Sequence, residues 1–498
     1  MSNYRKTICL VVSMTSLLFH SCDAQNKVEK KPNIIFFFTD DQSYDSMKYF
    51  GNPNTKTPNL DKLAESGVAF LRHYNTTAIC MASRAQVMTG LYEYKTGCNF
   101  DRGALGTRQW STSYPLLLKE AGYRVGFGGK FGFSISDTSD DFGKEGEAAE
   151  KDFDFWVGSP GQTSYMTKEN KSMAKYAEQY PHSTRAYGAA TIDFINESVK
   201  GDQPFCMSVF FKAPHKPAEP DPVFDTVYKN TVFRKLPNFG REAGKHLAEQ
   251  SRMGRQYGRF VEWGYDKEDT YQEELRKYNQ LIYGVDYAIG MIMDQLKKLK
   301  IDDNTIIVFA SDNGYFNGSH GLGSKELPYE ESARAPLIIV DPRMDKKFKG
   351  KQTSSLSANV DITATILDFA GIKAPTVYDG KSLRPILSNT QLESRTSLPI
   401  VQVWGPKATY CLTVMEKQYK YIYWNFKDEA KGIHPTEELF DIINDPYEMK
   451  NLASSTEFKS QLIKMRALYD KQLDHWKKEG VKNHGYDEAQ AALVRKVQ

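Results

Sequence analysis

The chain has no apolar run long enough to cross a bilayer, because none of its apolar stretches reaches the roughly 18 residues that a spanning helix needs. Cysteine is also scarce, and six scattered residues exclude a fold that depends on a disulfide framework. An excess of one charge is missing too: 65 basic and 62 acidic residues leave a formal net charge of +3. That balance alone argues neither for nor against nucleic acid.

Residues 1–24 have the composition of an export signal. Arg5 and Lys6 precede an apolar stretch at 7–19, and small residues follow it. Two interpretations remain open: the signal ends before Cys22, which would carry a lipid as in a bacterial lipoprotein, or cleavage follows Ala24. Both predict export to the periplasm or the outer surface, with a membrane contacted only through such a lipid anchor.

Apolar runs of strand length recur through the first three quarters of the chain. They lie at residues 33–39, 124–127, 205–211, 305–310 and 336–340. A run that is apolar on both faces is typical of a parallel sheet, and helical patterns such as residues 270–300 separate the runs. We therefore predict an α/β fold with a doubly wound, mostly parallel central sheet and helices on both faces.

The pattern changes after a predicted helix at 361–370. Short β-rich runs at 399–404, 410–415 and 419–424 are followed by a helix that ends at Gly480. These runs predict a smaller C-terminal α+β subdomain with antiparallel strands. The predicted divisions are 31–388 for the main α/β domain, 389–480 for the C-terminal subdomain and 481–498 for a tail.

Acidic and amide side chains follow two of the predicted strands. Asp40 and Asp41 come after the first strand, and Asp312 and Asn313 come after the strand at 305–310. Ligands of open α/β sheets gather at the carboxyl ends of strands, and these four side chains form an all-oxygen set suited to Ca²⁺ or Mg²⁺. Each pair alone is more typical of a cap or a turn, but two pairs at one edge favour a metal site.

Cys80 lies near the start of a predicted helix over residues 84–94. Free N–H groups at a helix start acidify a thiol and attract an anion, although a small residue packed under the helix is the plainer interpretation. Cationic side chains occur in comparable positions at Arg84, Lys130, His215 and Lys325. Grouped around a metal, they would bind a tetrahedral oxyanion and stabilise its charge in the transition state.

The segment Cys80-Met81-Ala82-Ser83-Arg84 resembles the signature of the formylglycine-dependent sulfatases, a family of the alkaline phosphatase superfamily. Further blocks that resemble the family are Thr89-Gly90, residues 33–41, residues 122–130, Pro214-His215-Lys216-Pro217, Ser311-Asp312-Asn313-Gly314, His320-Gly321 with Lys325, Tyr329-Glu330-Glu331-Ser332, Glu438-Leu439-Phe440-Asp441, Asp445-Pro446 and Asn451-Leu452. The resemblance extends over residues 31–480 and implies hydrolysis of sulfate esters.

The resemblance implies that Cys80 is converted to formylglycine by a maturation enzyme. The hydrate of that aldehyde would attack sulfur, and its second hydroxyl would then expel sulfate and restore the aldehyde. The roles implied for the other residues are Asp40, Asp41, Asp312 and Asn313 with residue 80 as Ca²⁺ ligands, Arg84 and Lys130 beside the hydrate, His215 and Lys325 at the sulfate with one protonating the departing alcohol, and His320 at the substrate.

Two positions depart from the family pattern. Ala82 stands where many members have proline, which resembles the Cys-type sulfatases matured by oxygen-independent radical enzymes. Gly132 stands where the family has the histidine of a Lys-x-His motif, a residue that helps the sulfated intermediate release sulfate. Either another group such as His73 or His320 replaces that histidine, or the turnover route differs.

The expected substrate is a sulfated carbohydrate, and we expect no nucleic-acid partner. A phosphoester or phosphonate ester hydrolase and a non-catalytic protein that binds sulfated glycans are the alternatives. Residues 224–271 carry basic side chains among aromatic ones, which favours either a sugar-binding surface or a long surface excursion with snorkelling side chains.

Overall fold

The structure is a computed structural model that describes residues 30–137, 149–482 and 485–496. The predicted export signal, with Cys22, lies outside the described residues. Pro32–Gln498 form one compact unit. None of the helices in the described ranges is both long and apolar enough to span a bilayer.

The strands form two main sheets and one short pair. In chain order they are β1 (Asn33–Thr39), β2 (Val68–Phe70), β3 (His73–Tyr74), β4 (Arg124–Lys130), β5 (Phe155–Ser159), β6 (Phe205–Phe210), β7 (Thr305–Ser311), β8 (Leu337–Val340), β9 (Lys351–Thr353), β10 (Ser357–Ala358), β11 (Leu398–Gln402), β12 (Cys411–Met415), β13 (Tyr419–Trp424) and β14 (Thr436–Asp441). The larger sheet has eight strands in the order β5-β4-β6-β1-β7-β8-β2-β9.

The centre of the large sheet is parallel. β1 pairs in parallel with β6 on one side and β7 on the other, and all its residues are buried. The prediction of a mostly parallel sheet is therefore confirmed. The run at 336–340 was grouped with the parallel strands, and this grouping was wrong, since β8 runs antiparallel to both β7 and β2.

Helices connect the strands and cover the sheet. In chain order they are α1 (Pro58–Ser66), α2 (Cys80–Thr89), α3 (Glu93–Thr96), α4 (Thr107–Trp110), α5 (Tyr114–Glu120), α6 (Ser183–Ser198), α7 (Arg255–Glu262), α8 (Glu268–Lys298), α9 (Glu330–Ala333), α10 (Asn359–Phe369), α11 (Lys459–Glu479) and α12 (Tyr486–Ala492). Short 3₁₀ turns lie between several of them.

The two faces of β1 pack into different hydrophobic cores. Phe36 and Phe38 join a core that includes residues of α2, α5 and α10. Phe37, which points to the opposite face, joins a core that includes residues of α1, α6 and α8. Alternate residues of one strand thus serve two helical layers, which is why the strand is a continuous apolar run. Helices on both faces confirm the doubly wound arrangement.

The C-terminal strands form an antiparallel sheet in the order β11-β12-β13-β14. Buried residues of α11 and α12 share a core with it. The segment expected to be a tail thus contains a helix, and Tyr486 in it is fully buried. The smaller antiparallel unit is confirmed, while the predicted division at 388 and 389 stays a prediction.

The helix predicted over residues 84–94 is divided in two. α2 begins at Cys80 and ends before Gly90, whose φ of 67° lies in the left-handed region that glycine adopts without strain. Every residue of α2 is buried. The four cysteines among the described residues are buried and free, so no disulfide joins them.

Candidate active site

The predicted acidic residues meet at one edge of the large sheet. β1 and β7 are parallel neighbours, so Asp40 and Asp41 lie beside Asp312 and Asn313. The Asp41 N–H donates to Asp312 Oδ1 at 3.1 Å, and the Tyr278 hydroxyl donates to the Asp41 carbonyl at 2.7 Å. Asp41 has a φ of 70°, a conformation that these hydrogen bonds hold in place.

Three cations from different segments converge on these carboxylates. Arg84 Nε donates to Asp312 Oδ2 at 2.9 Å, and another guanidinium nitrogen lies 3.5 Å from Asp40. Lys130 Nζ, at the end of β4, donates to Asp40 Oδ2 at 2.5 Å. Lys325 donates to Asp41. These side chains are almost fully shielded from solvent, so their interactions act in a medium of low dielectric constant.

Cys80 lies at the first position of α2, four residues before Arg84. Its preceding residue Ile79 offers no capping side chain, so the N–H groups of the first turn are available to an anion. Burial opposes the charges of Arg84 and Lys325, yet the neighbouring carboxylates and Cys80 raise the pKa of both groups above its ordinary value. Cys80 is therefore within electrostatic reach of both cations.

His215 completes the ring of polar side chains. Its Nε2 lies 3.9 Å from Asp41 Oδ2, and Tyr165 donates a hydrogen bond to its carbonyl at 2.7 Å. Burial lowers the pKa of His215 to about 4, even though Asp40 and Asp41 act in the opposite direction. The imidazole is consequently neutral near pH 7.

The carboxylates of the cluster differ in proton affinity. Burial tends to raise the pKa of Asp40, but Lys130, His215, Lys325 and Arg84 together hold it well below its usual value. Burial and the adjacent Asp40 raise the pKa of Asp312 to about 7. Because Asp40 stays ionised, its negative charge makes the neighbouring Asp312 hold a proton more tightly.

The donor set fits a hard divalent cation. Asp40 Oδ1 and Asn313 Oδ1 are buried and have no hydrogen-bond partner among the described residues. The remaining oxygens belong to Asp41 and Asp312, and Asn313 Nδ2 donates to Asp41 at 2.7 Å. Ligand atoms of Asp40, Asp41 and His215 all lie within 4.8 Å of one another. Buried oxygens that lack a hydrogen-bond partner are suitable ligands for a hard cation such as Ca²⁺.

Gly132 lies against Arg84 and Lys130 and leaves no room for a side chain. Its φ is 87°, and a Cβ atom there would lie 2.6 Å from Arg84 Cδ and 3.5 Å from Lys130 Cε. Arg84 also donates to the Lys130 carbonyl at 2.5 Å. The Arg84 side chain therefore packs where a histidine of the Lys-x-His pattern would begin.

The two histidines that the sequence offered as replacements contact other groups. His73 Nδ1 is 3.1 Å from the Ser357 hydroxyl, where β3 pairs with β10. His320 Nε2 is 3.0 Å from the Asn238 amide and 3.7 Å from Glu331, and its ring packs on Tyr329. The role of His320 at the substrate stays a prediction.

The segment at 224–271 supports the loop that carries Lys325. Arg259 on α7 donates to the Ser324 hydroxyl at 2.8 Å, and Arg255 and Gln256 both donate to Glu326. The residues on either side of Lys325 are thus held by one helix. A sequence pattern of basic and aromatic residues does not reveal this contact, because the partners are some 70 residues apart.

Known proteins of one enzyme family are similar to this chain over most of its length. The family model described as Sulfatase matches residues 32–372, and the one described as N-sulphoglucosamine sulphohydrolase, C-terminal, matches residues 318–478. The chain is 29% identical to an N-acetylglucosamine-6-O-sulfatase of Bacteroides thetaiotaomicron, over 98% of this chain and 93% of that protein. It is 27% identical to an ulvan-active sulfatase of Formosa agariphila, over 94% of this chain and 86% of that protein.

Solved structures share the fold. A protein in complex with its substrate D-glucosamine-2-N,6-O-disulfate matches with a TM-score of 0.73 at 26% identity, covering 90% of this chain and 99% of the other. A phosphonate monoester hydrolase of Agrobacterium radiobacter matches with a TM-score of 0.71 at 19% identity, covering 90% and 96%. At that identity the second match shows the fold alone.

The fold and the site define a hydrolase that acts on esters of a tetrahedral oxyanion. Since the family model matches well over half of the chain, the chain belongs to the sulfatase family. It is a sulfuric ester hydrolase, and the predicted family, fold class and reaction are confirmed.

Proposed function

We propose that this sulfatase releases sulfate from a sulfated carbohydrate, with formylglycine at position 80 and a bound Ca²⁺. The observation that carries the proposal is the meeting of Arg84, Lys130 and Lys325 with three buried carboxylates beside the helix that begins at Cys80. Burying so many charges together is costly for stability. Stabilising the charge of a reacting sulfate group explains why they are there.

The cations of the cluster are suited to bind the anionic ester. The raised pKa of Arg84 and of Lys325 keeps both groups charged near neutral pH. They need little rearrangement, because hydrogen bonds to Asp312, Asp41 and the Lys130 carbonyl already orient them. Such preorganised charge favours the transition state over the ground state.

His215 is suited to handle the proton of the departing alcohol. Its imidazole is neutral near pH 7 and lies 3.9 Å from Asp41, on the loop that follows β6. Lys325 is the second group at the site with a proton to donate. Because His215 is neutral near pH 7, it would have to take up a proton before it could protonate the leaving oxygen, whereas Lys325 already holds one. One of these two side chains would act as the general acid.

The metal would be held by Asp40, Asp41, Asp312 and Asn313. The orphaned oxygens of Asp40 and Asn313 and the oxygen character of the set support Ca²⁺. When bound, the ion would supply positive charge beside the sulfate oxygens. Lys130 and Lys325 would then share the carboxylates with it.

Formylglycine would replace the thiol at position 80. As its hydrate, this group would supply the oxygen nucleophile of the reaction. Ala82 favours a maturation enzyme of the oxygen-independent radical type. A host that lacks such an enzyme would produce the chain with an unconverted thiol.

The proposal of a carbohydrate substrate is supported by the similar proteins and by the charge of the site. An N-acetylglucosamine-6-O-sulfatase and an ulvan-active sulfatase are among the relatives that align over most of this chain. The signal-like residues 1–24 support export to the periplasm or the outer surface, with Cys22 as a candidate lipid anchor. An exported enzyme would meet sulfated glycans outside the cytoplasm.

The proposal is tested with fully converted protein and three substrates: an aryl sulfate, the matching aryl phosphate and a sulfated oligosaccharide. We expect faster turnover of the aryl sulfate than of the aryl phosphate, and release of sulfate from the oligosaccharide. Cys80→Ala made in the same host is the control and should release none. Faster phosphate turnover, or binding of the oligosaccharide without sulfate release, would contradict the proposal.

A further inference from the structure

Lys212 lies at the border of the catalytic cluster, although neither the motifs nor the mechanism uses it. It stands three residues before His215 on the loop that follows β6, and its side chain is half-buried. Its Nζ lies 5.2 Å from the centre of the Tyr165 ring. The hydroxyl of Tyr165 donates to the His215 carbonyl at 2.7 Å, so the Lys212 ammonium lies beside the loop that carries His215.

Among the described residues, Lys212 differs from the other shielded lysines because its ammonium has no carboxylate and no hydrogen-bond acceptor as a partner. Every other buried or half-buried lysine in the described ranges has a carboxylate within 4.0 Å or a hydrogen-bond acceptor. Near the site, Lys130 is paired with Asp40, Lys325 with Asp41 and Lys216 with Glu274. Lys212 has neither kind of partner in those ranges.

An ammonium in this position has hydrogen-bonding capacity that the protein leaves unused. Burial and then the like charge of Lys130 lower the pKa of Lys212, so its surroundings disfavour the charged form. The Tyr165 ring offers only a weak cation–π contact. An anionic oxygen group placed there would accept the free N–H donors and offset the repulsion from Lys130.

We propose that Lys212 binds a second anionic group of the substrate, carried by the sugar beside the scissile sulfate ester. A sulfate, a sulfamate or a carboxylate has the oxygens required. The reacting sulfate would be held by Arg84, Lys130 and Lys325, which contact the carboxylates of the cluster directly. Lys212 makes no such contact, so it lies outside that set. The inference rests on the proposed function and adds a preference for doubly charged sugars.

The test uses two matched pairs of substrates that differ in one anionic group. The first pair is N-acetyl- and N-sulfo-glucosamine 6-O-sulfate. The second is a 6-O-sulfated disaccharide with a uronate, and the methyl ester of the same disaccharide. Wild-type protein that releases sulfate neither from these four nor from the aryl sulfate would contradict the proposed function. Wild-type protein that hydrolyses the aryl sulfate but none of the four would overturn this inference alone.

The variants separate charge from structure. Lys212→Met removes the ammonium but keeps the length of the side chain, and Lys212→Arg retains a cation. Lys349→Met is the control, because Lys349 is also half-buried but donates to the Pro342 carbonyl between β8 and β9. Since Lys212 has no ion pair to lose, Lys212→Met should unfold at the same temperature as the wild type or slightly above it.

For at least one pair we expect the wild type to prefer the more anionic member. Lys212→Met should lower kcat/KM for that member by about tenfold to a hundredfold, mainly through KM, the loss expected for a hydrogen bond between charged groups. Its kcat/KM for the neutral member should change by less than about threefold, and Lys212→Arg should retain the preference. Equal losses for both members, or no wild-type preference in either pair, would overturn the inference.

Discussion

Gly132 shows how one residue sets the position of a buried cation, Arg84. Its left-handed φ and the 2.6 Å distance from its Cβ position to Arg84 Cδ mean that the Arg84 side chain occupies the space of an absent side chain. Arg84 in turn reaches Asp312, Asp40 and the Lys130 carbonyl from that place. The missing histidine is thus linked to the packing of Arg84 in this chain.

Gly132→Ala should therefore impair activity as well as stability. Gly122→Ala is the matched control, because Gly122 has a φ of 86° but open space around its Cβ position. A left-handed alanine costs about 1 kcal/mol in either variant. Gly132→Ala must also displace Arg84, and we expect a further loss of stability and a fall in kcat of about tenfold or more. Denaturant unfolding and sulfate release measure both, and a Gly132→Ala protein as active as Gly122→Ala would contradict this role.

A substitution at Asn313 tests the proposed metal site. Its buried Oδ1 has no hydrogen-bond partner among the described residues, which a cation would satisfy. We expect Ca²⁺ at a hundredfold excess over its Kd to raise the Tm of the wild type by about 3 °C, given the size of the chain. Asn313→Ala should lose most of that shift, whereas the exposed Asn389→Ala should keep it. An unchanged Ca²⁺ response in Asn313→Ala would exclude Asn313 as a ligand.

Among the elements, α8 and α1 are joined by one buried carboxylate. Asp286 on α8 accepts hydrogen bonds from the Asn59 and Leu60 N–H groups at 2.9 and 2.8 Å, and from the Asn59 side chain at 2.9 Å. It thus caps the first turn of α1, which Thr57 does not cap with its own side chain. A residue from another helix performs the task of a local N-cap.

Asp286→Ala should lower the free energy of unfolding by about 2 kcal/mol or more, because it leaves two buried backbone N–H groups without an acceptor. The control is Asp294→Ala, since Asp294 is exposed on the same helix. That variant should change stability by less than about 0.5 kcal/mol. Equal stabilities of the two variants in urea would contradict the capping role.

The Asp286 carboxylate also makes the stability of the fold depend on pH. Burial raises the pKa of Asp286 to about 6. The folded state therefore keeps the Asp286 proton up to a higher pH than the unfolded state does. Asp286 consequently makes the free energy of unfolding fall as the pH rises from about 4 to about 6. The difference in stability between wild type and Asp286→Ala should narrow over that range. A difference that grows with pH would contradict the raised pKa.

The sequence predicts an element best when only one structure explains its pattern of apolar residues. The run at 33–39 is β1 to the residue, because both of its faces are buried. The direction of β8 was not predictable, since an apolar run has the same composition in parallel and antiparallel pairing. β14 was missed because Glu437 and Glu438 look like surface residues, although Glu438 is buried and accepts from Trp424 and Tyr329.

For the molecule as a whole, the sequence predicts those residues of the candidate site that belong to recognisable motifs. Asp40 and Asp312 lie more than 270 residues apart in the chain, and the parallel pairing of β1 and β7 brings them together. Lys212 and the support of Lys325 by α7 could not be predicted, because neither has a pattern in the sequence. Both depend on distances that only the folded chain defines.

A buried ionic group joins the C-terminal sheet to α9. Lys420 of β13 lies 2.7 Å from Glu330 of α9 and 2.8 Å from Glu448. Glu331, the next residue of α9, lies 3.7 Å from His320 in the loop that leads to Lys325. Lys420 also donates to the Pro328 carbonyl at 3.0 Å, so the C-terminal sheet contacts the loop that carries Lys325.

The most direct test of the account is mass spectrometry of the peptide spanning residues 73–84, taken from protein made in the organism that encodes it and shown to release sulfate. We predict that the residue at position 80 is an aldehyde or its hydrate, and that the converted fraction rises in proportion to specific activity. A full complement of unmodified Cys80 thiol in a preparation that releases sulfate would contradict the central claim.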